Sequence, residues 1–391
     1  MNYKELIFYC IFIMVYYPPE KQFDVNEIVN RKDCNNSSAE TKKKNPKRMF
    51  SKKMIFGIFV FAFCILSVSG FVVYKANSTF DKMTGKQNSV VKSLIMMLPF
   101  GNNIFQILPT EAETSVIDKL KNNELERLNI LLLGIRGIGD PNGGLLTDTI
   151  IVVSIKPQTG ELALISIPRD LYVEIPHRDY KNKINEAYAM GVIDGGWQSG
   201  LEYSKEAVSH ATGLDIHYAA SIDFKAFKEI VDTLGGVTIT LNQPFTEASQ
   251  FEEGIIDLPA GIQTINGDTA LLFARARFSS SDFDRSKRQQ QLLLGVKEKA
   301  FGLGVISNPL KVVSILNSFG NHVKIDAELW EIQEIIGATK DVNTSNAKRK
   351  VFNIDPEGLL YASRDSNGSY ILLPEGENFD EMHKVCRDIF N

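Results

Sequence analysis

The chain has 391 residues, of which 44% are hydrophobic and 23% charged, and its net charge is −4. That is an ordinary globular composition, long enough for one large domain or two smaller ones, and the negative balance argues against bulk affinity for nucleic acid. The cysteines (Cys10, Cys34, Cys64 and Cys386) and the five histidines show no zinc spacing, so a structural zinc is not indicated.

Residues 1–53 read as a cytoplasmic tail without a fold. Its short apolar stretch, Leu6 to Tyr17, is closed by Pro18-Pro19 and is too short to span a bilayer. Lys42, Lys43, Lys44, Lys47, Arg48, Lys52 and Lys53 then precede an uncharged run, Met54 to Tyr74. That run is long enough for one transmembrane helix, and the basic flank keeps its N-terminal side in the cytoplasm. Everything after Lys75 is then expected outside the cell, where Cys386 alone cannot form a disulfide framework. A cleaved signal peptide starting at Met49 is the competing reading; the length of the run and its continuation through Phe71-Val72-Val73-Tyr74 favour an anchor. Residues 75–127 read as a juxtamembrane spacer.

A regular pattern begins at Leu128. Asn129 to Leu133 reads as a buried strand, followed by a Gly-rich loop from Arg136 to Gly144. Asp148 to Ile155 and Leu162 to Ile167 are β-branched strands joined by a turn, Lys156 to Gly160. Helices are expected over Glu202–Thr212 and Phe224–Leu234, each stopped by glycine, with a strand at Val237–Leu241 and a longer helix from about Ser286 to Phe301. A hairpin, Leu359–Ala362 with Tyr370–Leu373, and a helix from Asp380 complete the tail. Strands and helices mixed in this way imply one layered α/β domain over 128–391, with helices on both faces of a sheet.

The Gly-rich loop invites a nucleotide site, but such loops run from a strand into a helix, and this one runs into a strand and lacks Gly-Lys-Ser/Thr. No Gly-x-Ser-x-Gly or His-Glu-x-x-His motif occurs either. What remains is a set of arginines and aspartates at element ends: Asp148; Ser166-Ile167-Pro168-Arg169-Asp170 at the carboxyl end of a strand; Asp223; Ala274-Arg275-Ala276-Arg277; and Asp282-Phe283-Asp284-Arg285-Ser286-Lys287-Arg288-Gln289. On a helix, Arg285, Arg288 and Gln289 are expected to share one face. Guanidinium forks hold phosphate oxygens bidentately, and carboxylates can hold a divalent ion that bridges them. Structural ion pairing is the plainer account of any one of these residues, and a phosphate site is the better account of the set.

In order along the chain, NILLLG, TDTIIVVSI, LISIPRDLYVEIP, KINEAYAMG, YAASIDFKAFKEIVDTLGGV, LPAGIQTINGDTALLFARAR and DFDRSKRQQQLLLGVKEK resemble the LytR-CpsA-Psr family. The resemblance covers a motif core of 128–301, which leaves 302–391 to complete the domain. It implies a three-layer α/β/α sandwich with a mixed central sheet behind one transmembrane helix. It also implies a hydrophobic channel for a polyprenyl chain with an arginine-lined mouth. The implied activity is an extracytoplasmic phosphotransferase that moves a polyprenyl-pyrophosphate-linked glycan onto peptidoglycan or another surface acceptor, at the lipid bilayer and without nucleic acid.

Matched by motif, Arg169, Arg275, Arg277 and Arg285, supported by Arg288 and Gln289, resemble pyrophosphate ligands. Asp148 resembles a metal-ligating aspartate, and Asp170 and Asp284, with Arg169, are candidates for the catalytic step, Asp170 first as proton acceptor. Phe224, Phe227 and Leu292 are read as core packing before channel lining. Two departures stand out. The family usually carries an aspartate where this chain has Arg136, and often an arginine where it has Leu146. Asp140 is then the nearby substitute to help Asp148 hold Mg²⁺ (or Mn²⁺). A non-catalytic glycan-binding regulator and a hydrolase releasing polyprenyl phosphate are the rival functions.

Overall fold

In the computed structural model, the residues described are 115–138, 140, 144–247, 255–278, 280–303, 319, 322–339, 341–355 and 358–391. The apolar run 54–74 lies outside them. Among the described residues, no helix is long and apolar enough to cross a membrane.

The elements run α1 (Val116–Lys121), β1 (Leu128–Ile135), β2 (Thr147–Lys156), β3 (Glu161–Ser166), β4 (Tyr172–Glu174), β5 (Lys181–Lys183), α2 (Ala187–Gly195), α3 (Trp197–Thr212), β6 (Tyr218–Asp223) and α4 (Phe224–Thr233). They continue with β7 (Val237–Leu241), β8 (Phe245–Glu247), β9 (Ile256–Leu258), β10 (Gly261–Ile265), α5 (Gly267–Arg275), α6 (Asp282–Gly302), β11 (Val323–Ile325), α7 (Leu329–Thr339), β12 (Lys348–Val351), β13 (Leu360–Arg364), β14 (Tyr370–Pro374) and α8 (Asp380–Arg387). Six strands form the central sheet in the order β11-β6-β1-β2-β3-β12. It is mixed: β1 runs parallel to β6 and β3 to β12, while β1–β2, β2–β3 and β6–β11 are antiparallel.

Because side chains alternate along a strand, each central strand feeds two cores. Leu131, Leu133, Ile150, Val152 and Ile165 pack with Leu201, Ala207, Val208 and Ala211 of α3 and with Met382 and Cys386 of α8. Ile155, Leu162 and Leu164 face the other way, onto Leu293 and Leu294 of α6. Val231 of α4, Phe273 of α5, Leu292 of α6 and Val237 and Ile239 of β7 extend that second helical layer. The result is helices, mixed sheet, helices. Cys386 is a packing residue: it is fully buried, and burial pushes its thiol up to about 12.

Two boundaries differ from the sequence reading. The domain starts before Leu128. Ser115 and Asp118 form a capping box on α1, and Ile117, Leu120 and Leu125 pack with Leu128, Tyr218 and Ile335. Arg127 donates to Ser154 Oγ and to the carbonyl of Cys386, tying the first strand to the last helix. The long helix starts at Asp282 rather than Ser286, because Ser281 caps it and Asp284 returns the bond to the Ser281 amide. An acidic turn and a capping box share the same composition; only the Ser-x-x-Asp spacing separates them.

Gln290, with 0% exposure, joins the layers. Its Nε2 donates to Ser166 Oγ (2.8 Å) and to the carbonyls of Leu164 (3.3 Å) and Lys350 (3.1 Å). Gln290→Leu keeps the volume and removes the donor, so stability is expected to fall by about 1–3 kcal/mol. Chemical denaturation of both forms reads this; an unchanged midpoint contradicts it.

Candidate functional site

The site begins with an irregularity in the sheet. The β1–β2 register pairs Gly134 with Thr149 and then Ile135 with Thr147, so the ladder skips Asp148. A bulged residue is released from pairing and its side chain re-aimed. The Asp148 carboxylate turns into a cavity, and the Asp148 carbonyl, freed from the ladder, accepts from Arg285 Nη2 at 3.1 Å.

That cavity holds about 330 Å³ between the sheet and α4, α5 and α6. Leu132, Ile151, Ala220 and Ile222 make its sheet side. Its helical side comes from Phe224, Phe227 and Ile230 on α4, Leu271 and Ala274 on α5, and Leu292, Leu293 and Val296 on α6, at the three- and four-residue spacing of helix faces. The apolar residues Phe224, Phe227 and Leu292 therefore line a cavity, and Leu292 belongs to the core as well.

At one end the lining changes character. Arg136, Arg169, Arg275, Arg277 and Arg285 meet there with Gln289, against only Asp148 and Asp223. An excess of guanidinium over carboxylate suits an anionic ligand. Arg169 leaves β3 on a turn closed by the Leu171 amide on the Pro168 carbonyl. Its Nη1 donates to Asp148 Oδ1 at 2.5 Å, and its Nε lies 3.5 Å from Asp170 Oδ2, an ion-pair contact without a hydrogen bond. Arg136 Nε donates to Asp148 Oδ2 at 3.3 Å. Arg275 and Arg136 both lie over the ring of Phe224, at 4.7 and 6.0 Å from its centroid. Arg285 Nη2 also reaches Asp282 at 3.0 Å, while its buried Nε makes no hydrogen bond. Burial opposes ionisation of Asp148, but Arg169, with Arg285 and Arg136, outweighs it and holds this carboxyl below the usual carboxylate range. Burial also pushes the Arg285 guanidinium below its ordinary value, against the pull of Asp282.

Four candidates sit elsewhere. Asp170 is outside the lining, held by Lys183 Nζ at 2.7 Å with Arg169 Nε 3.5 Å away. Asp284 belongs to the α6 capping box and pairs with Lys287 at 3.1 Å. Arg288 turns away from the cavity toward α5: Nε donates to the Phe273 carbonyl (3.0 Å), Nη1 to Ser280 Oγ (3.0 Å) and Nη2 to the Ala276 carbonyl. Gln289, one position on, does reach the cavity and donates to the Ala274 carbonyl. Asp140 is outside the lining, and its amide donates to the Gly137 carbonyl at 3.2 Å. No group of three His, Cys, Asp or Glu that could hold a metal occurs among the described residues. Both oxygens of Asp148 are engaged by guanidiniums, and the residues present do not fit the expected Mg²⁺ (or Mn²⁺) site. Asp223, named from sequence among the element-end aspartates but given no role there, caps α4 through the Ala226 amide and pairs with His322 Nδ1 at 2.5 Å.

The LytR_cpsA_psr family model matches residues 95–388, and the chain belongs to that family. It is 33% identical over 240 residues to the polyisoprenyl-teichoic acid–peptidoglycan teichoic acid transferase TagU of Oceanobacillus iheyensis, covering 60% of this chain and 68% of that one. The protein of the same name from Halalkalibacterium halodurans is 32% identical over 256 residues, covering 64% and 75%. Among solved structures, TagV of B. subtilis superposes with a TM-score of 0.52 at 23% identity, over 68% of this chain and 97% of that one. TagT bound to LIIa-WTA gives 0.52 at 21%, over 72% and 98%. At these identities the structures establish a shared fold.

The Arg288 geometry makes a prediction that separates it from its neighbours. Arg288→Met removes this donor from the carbonyls of Phe273 in α5 and of Ala276 just after it, and stability is expected to fall by about 1–3 kcal/mol for each. Thermal and chemical melting of this variant beside the parent measures the loss.

Proposed function

We propose that this chain is an extracytoplasmic phosphotransferase that moves a polyprenyl-pyrophosphate-linked glycan polymer onto peptidoglycan or another cell-surface acceptor. One observation carries the reading: an apolar cavity and a five-arginine mouth are the two ends of one space. A polyprenyl pyrophosphate has the same two ends, a branched hydrocarbon joined to a compact anion. The cavity accommodates the leading part of such a chain, and the relatives named above act on polyisoprenyl-linked teichoic acid and peptidoglycan. The names of these relatives as transferases support the reaction class.

In the proposed reaction, the acceptor hydroxyl attacks the glycan-side phosphorus in line. A bond forms between acceptor oxygen and phosphorus, the bridging P–O bond breaks, and polyprenyl phosphate leaves with its electron pair. The hydroxyl proton passes to a phosphate oxygen or to solvent. Charge in such a transition state is spread over phosphate oxygens, so the protein contributes mainly position and electrostatic stabilisation. Arg275 and Arg277 would hold non-bridging oxygens, Arg285 would offer its Nε, and Arg169 would be aimed by Asp148 and Asp170. The run 54–74 would anchor the domain to the bilayer from outside.

Radiolabelled lipid-linked glycan incubated with peptidoglycan tests the reading. Label on peptidoglycan, with release of polyprenyl phosphate, is the expected result. Release into water alone identifies a hydrolase, and tight binding without turnover a regulator. Arg275→Lys keeps the charge and loses the fork, so affinity for a short polyprenyl pyrophosphate is expected to fall by roughly 1.5–3 kcal/mol with the melting temperature unchanged. Calorimetry beside a melting curve checks this. For topology, protease added to intact cells should reach residues beyond Lys75; full protection would count against the external domain.

A further inference from the structure

We infer that Arg136 takes the place of a divalent cation in this site, so that the chain holds pyrophosphate through guanidinium groups without a metal. The inference rests on the pyrophosphate reading above and concerns how the charge at its centre is supplied. The two oxygens of Asp148 are divided between Arg169 and Arg136, at 2.5 and 3.3 Å. A cation held by Asp148 would have to displace one of these and then lie among further guanidiniums in the same lining.

Arg136 is built into position. The chain turns immediately after it at Gly137, whose φ is +122°, and a Cβ there would stand 3.3 Å from Asp223 Oδ2. The Gly137 amide donates to the Gly144 carbonyl at 3.0 Å, closing the loop behind it. Its side chain is only 13% exposed, and its guanidinium rests over Phe224.

The charges agree. A carboxylate holding a dication carries one net positive charge, and the guanidinium of Arg136 carries the same charge at the same junction of β1 and β2. Arginine also supplies a planar donor fork suited to phosphate oxygens, with no coordination sphere to complete.

The test uses the full chain in detergent, with geranyl pyrophosphate as the probe. The parent is expected to bind it about equally in chelator and in Mg²⁺, within roughly twofold, and its melting temperature should not respond to Mn²⁺. In chelator, Arg136→Gln should bind about tenfold or more weakly, the loss expected for a charged hydrogen bond. Arg136→Asp pairs a second carboxylate with Asp148 and should acquire a Mn²⁺-dependent rise in melting temperature that the parent lacks. If that variant does not fold, the parent and Arg136→Gln still decide the matter. A parent that loses tenfold affinity in chelator, a parent stabilised by Mn²⁺, or an Arg136→Gln that binds like the parent would each overturn the inference. Absence of geranyl pyrophosphate binding by the parent in both buffers would instead sink the functional reading, while the Mn²⁺ response of parent and Arg136→Asp still tests the exchange of cation for arginine.

Discussion

Guanidinium groups repel one another, and three of them converge at the cavity mouth because Asp148 lies between them. Its carboxylate takes Arg169 and Arg136, and its carbonyl takes Arg285. These three arginines come from the turn after β3, the end of β1 and the first turn of α6, so one bulged residue in β2 holds together the elements that frame the mouth. Burying such charges costs several kcal/mol per ion unless partners compensate, and Asp170 and Asp282 add to that compensation. Folding therefore meets the cost of ordering the arginines before any ligand arrives, which leaves less to lose on binding.

Much of the fold was legible as periodicity. The β-branched runs at 147–156 and 161–166, α4 between its aspartate cap and two glycines, and the hairpin and helix at the end all follow from local pattern. The arginine set was legible too, because Arg169, Arg275, Arg277 and Arg285 are grouped at element ends. Angular detail was not. Arg285 and Gln289 reach the cavity, but Arg288 is one residue from Gln289, or about 100° around the helix, and turns to α5 instead. No helix was read over α5, although Asn266 caps it through the Thr269 amide. The placements of Asp170 and Asp284 depend on Lys183 and Ser281, partners that composition cannot supply.

The departures at Arg136 and Leu146 take on a joint meaning in three dimensions. Leu146 is exposed at the loop edge, while Arg136 points inward to the carboxylate. One arginine position is lost and another gained ten residues earlier, at the other end of the same β1–β2 connection. The mouth thus keeps its supply of guanidinium while losing a carboxylate, which shifts the local balance further toward anion binding.

The connection between α5 and α6 has a consequence of another kind. Arg275 stands in the last turn of α5, and α6 opens a few residues later with Asp282 and Asp284 in its first turn. Peptide dipoles make the end of one helix partially negative and the start of the next partially positive. Each terminus here already carries side chains of the sign opposite to its own, so the two helix ends are nearly neutralised from within. The attraction for an incoming anion then rests mainly on basic side chains, the arginines first. It is a field of side chains at a partly open mouth, and dissolved salt screens such a field within about 8–10 Å.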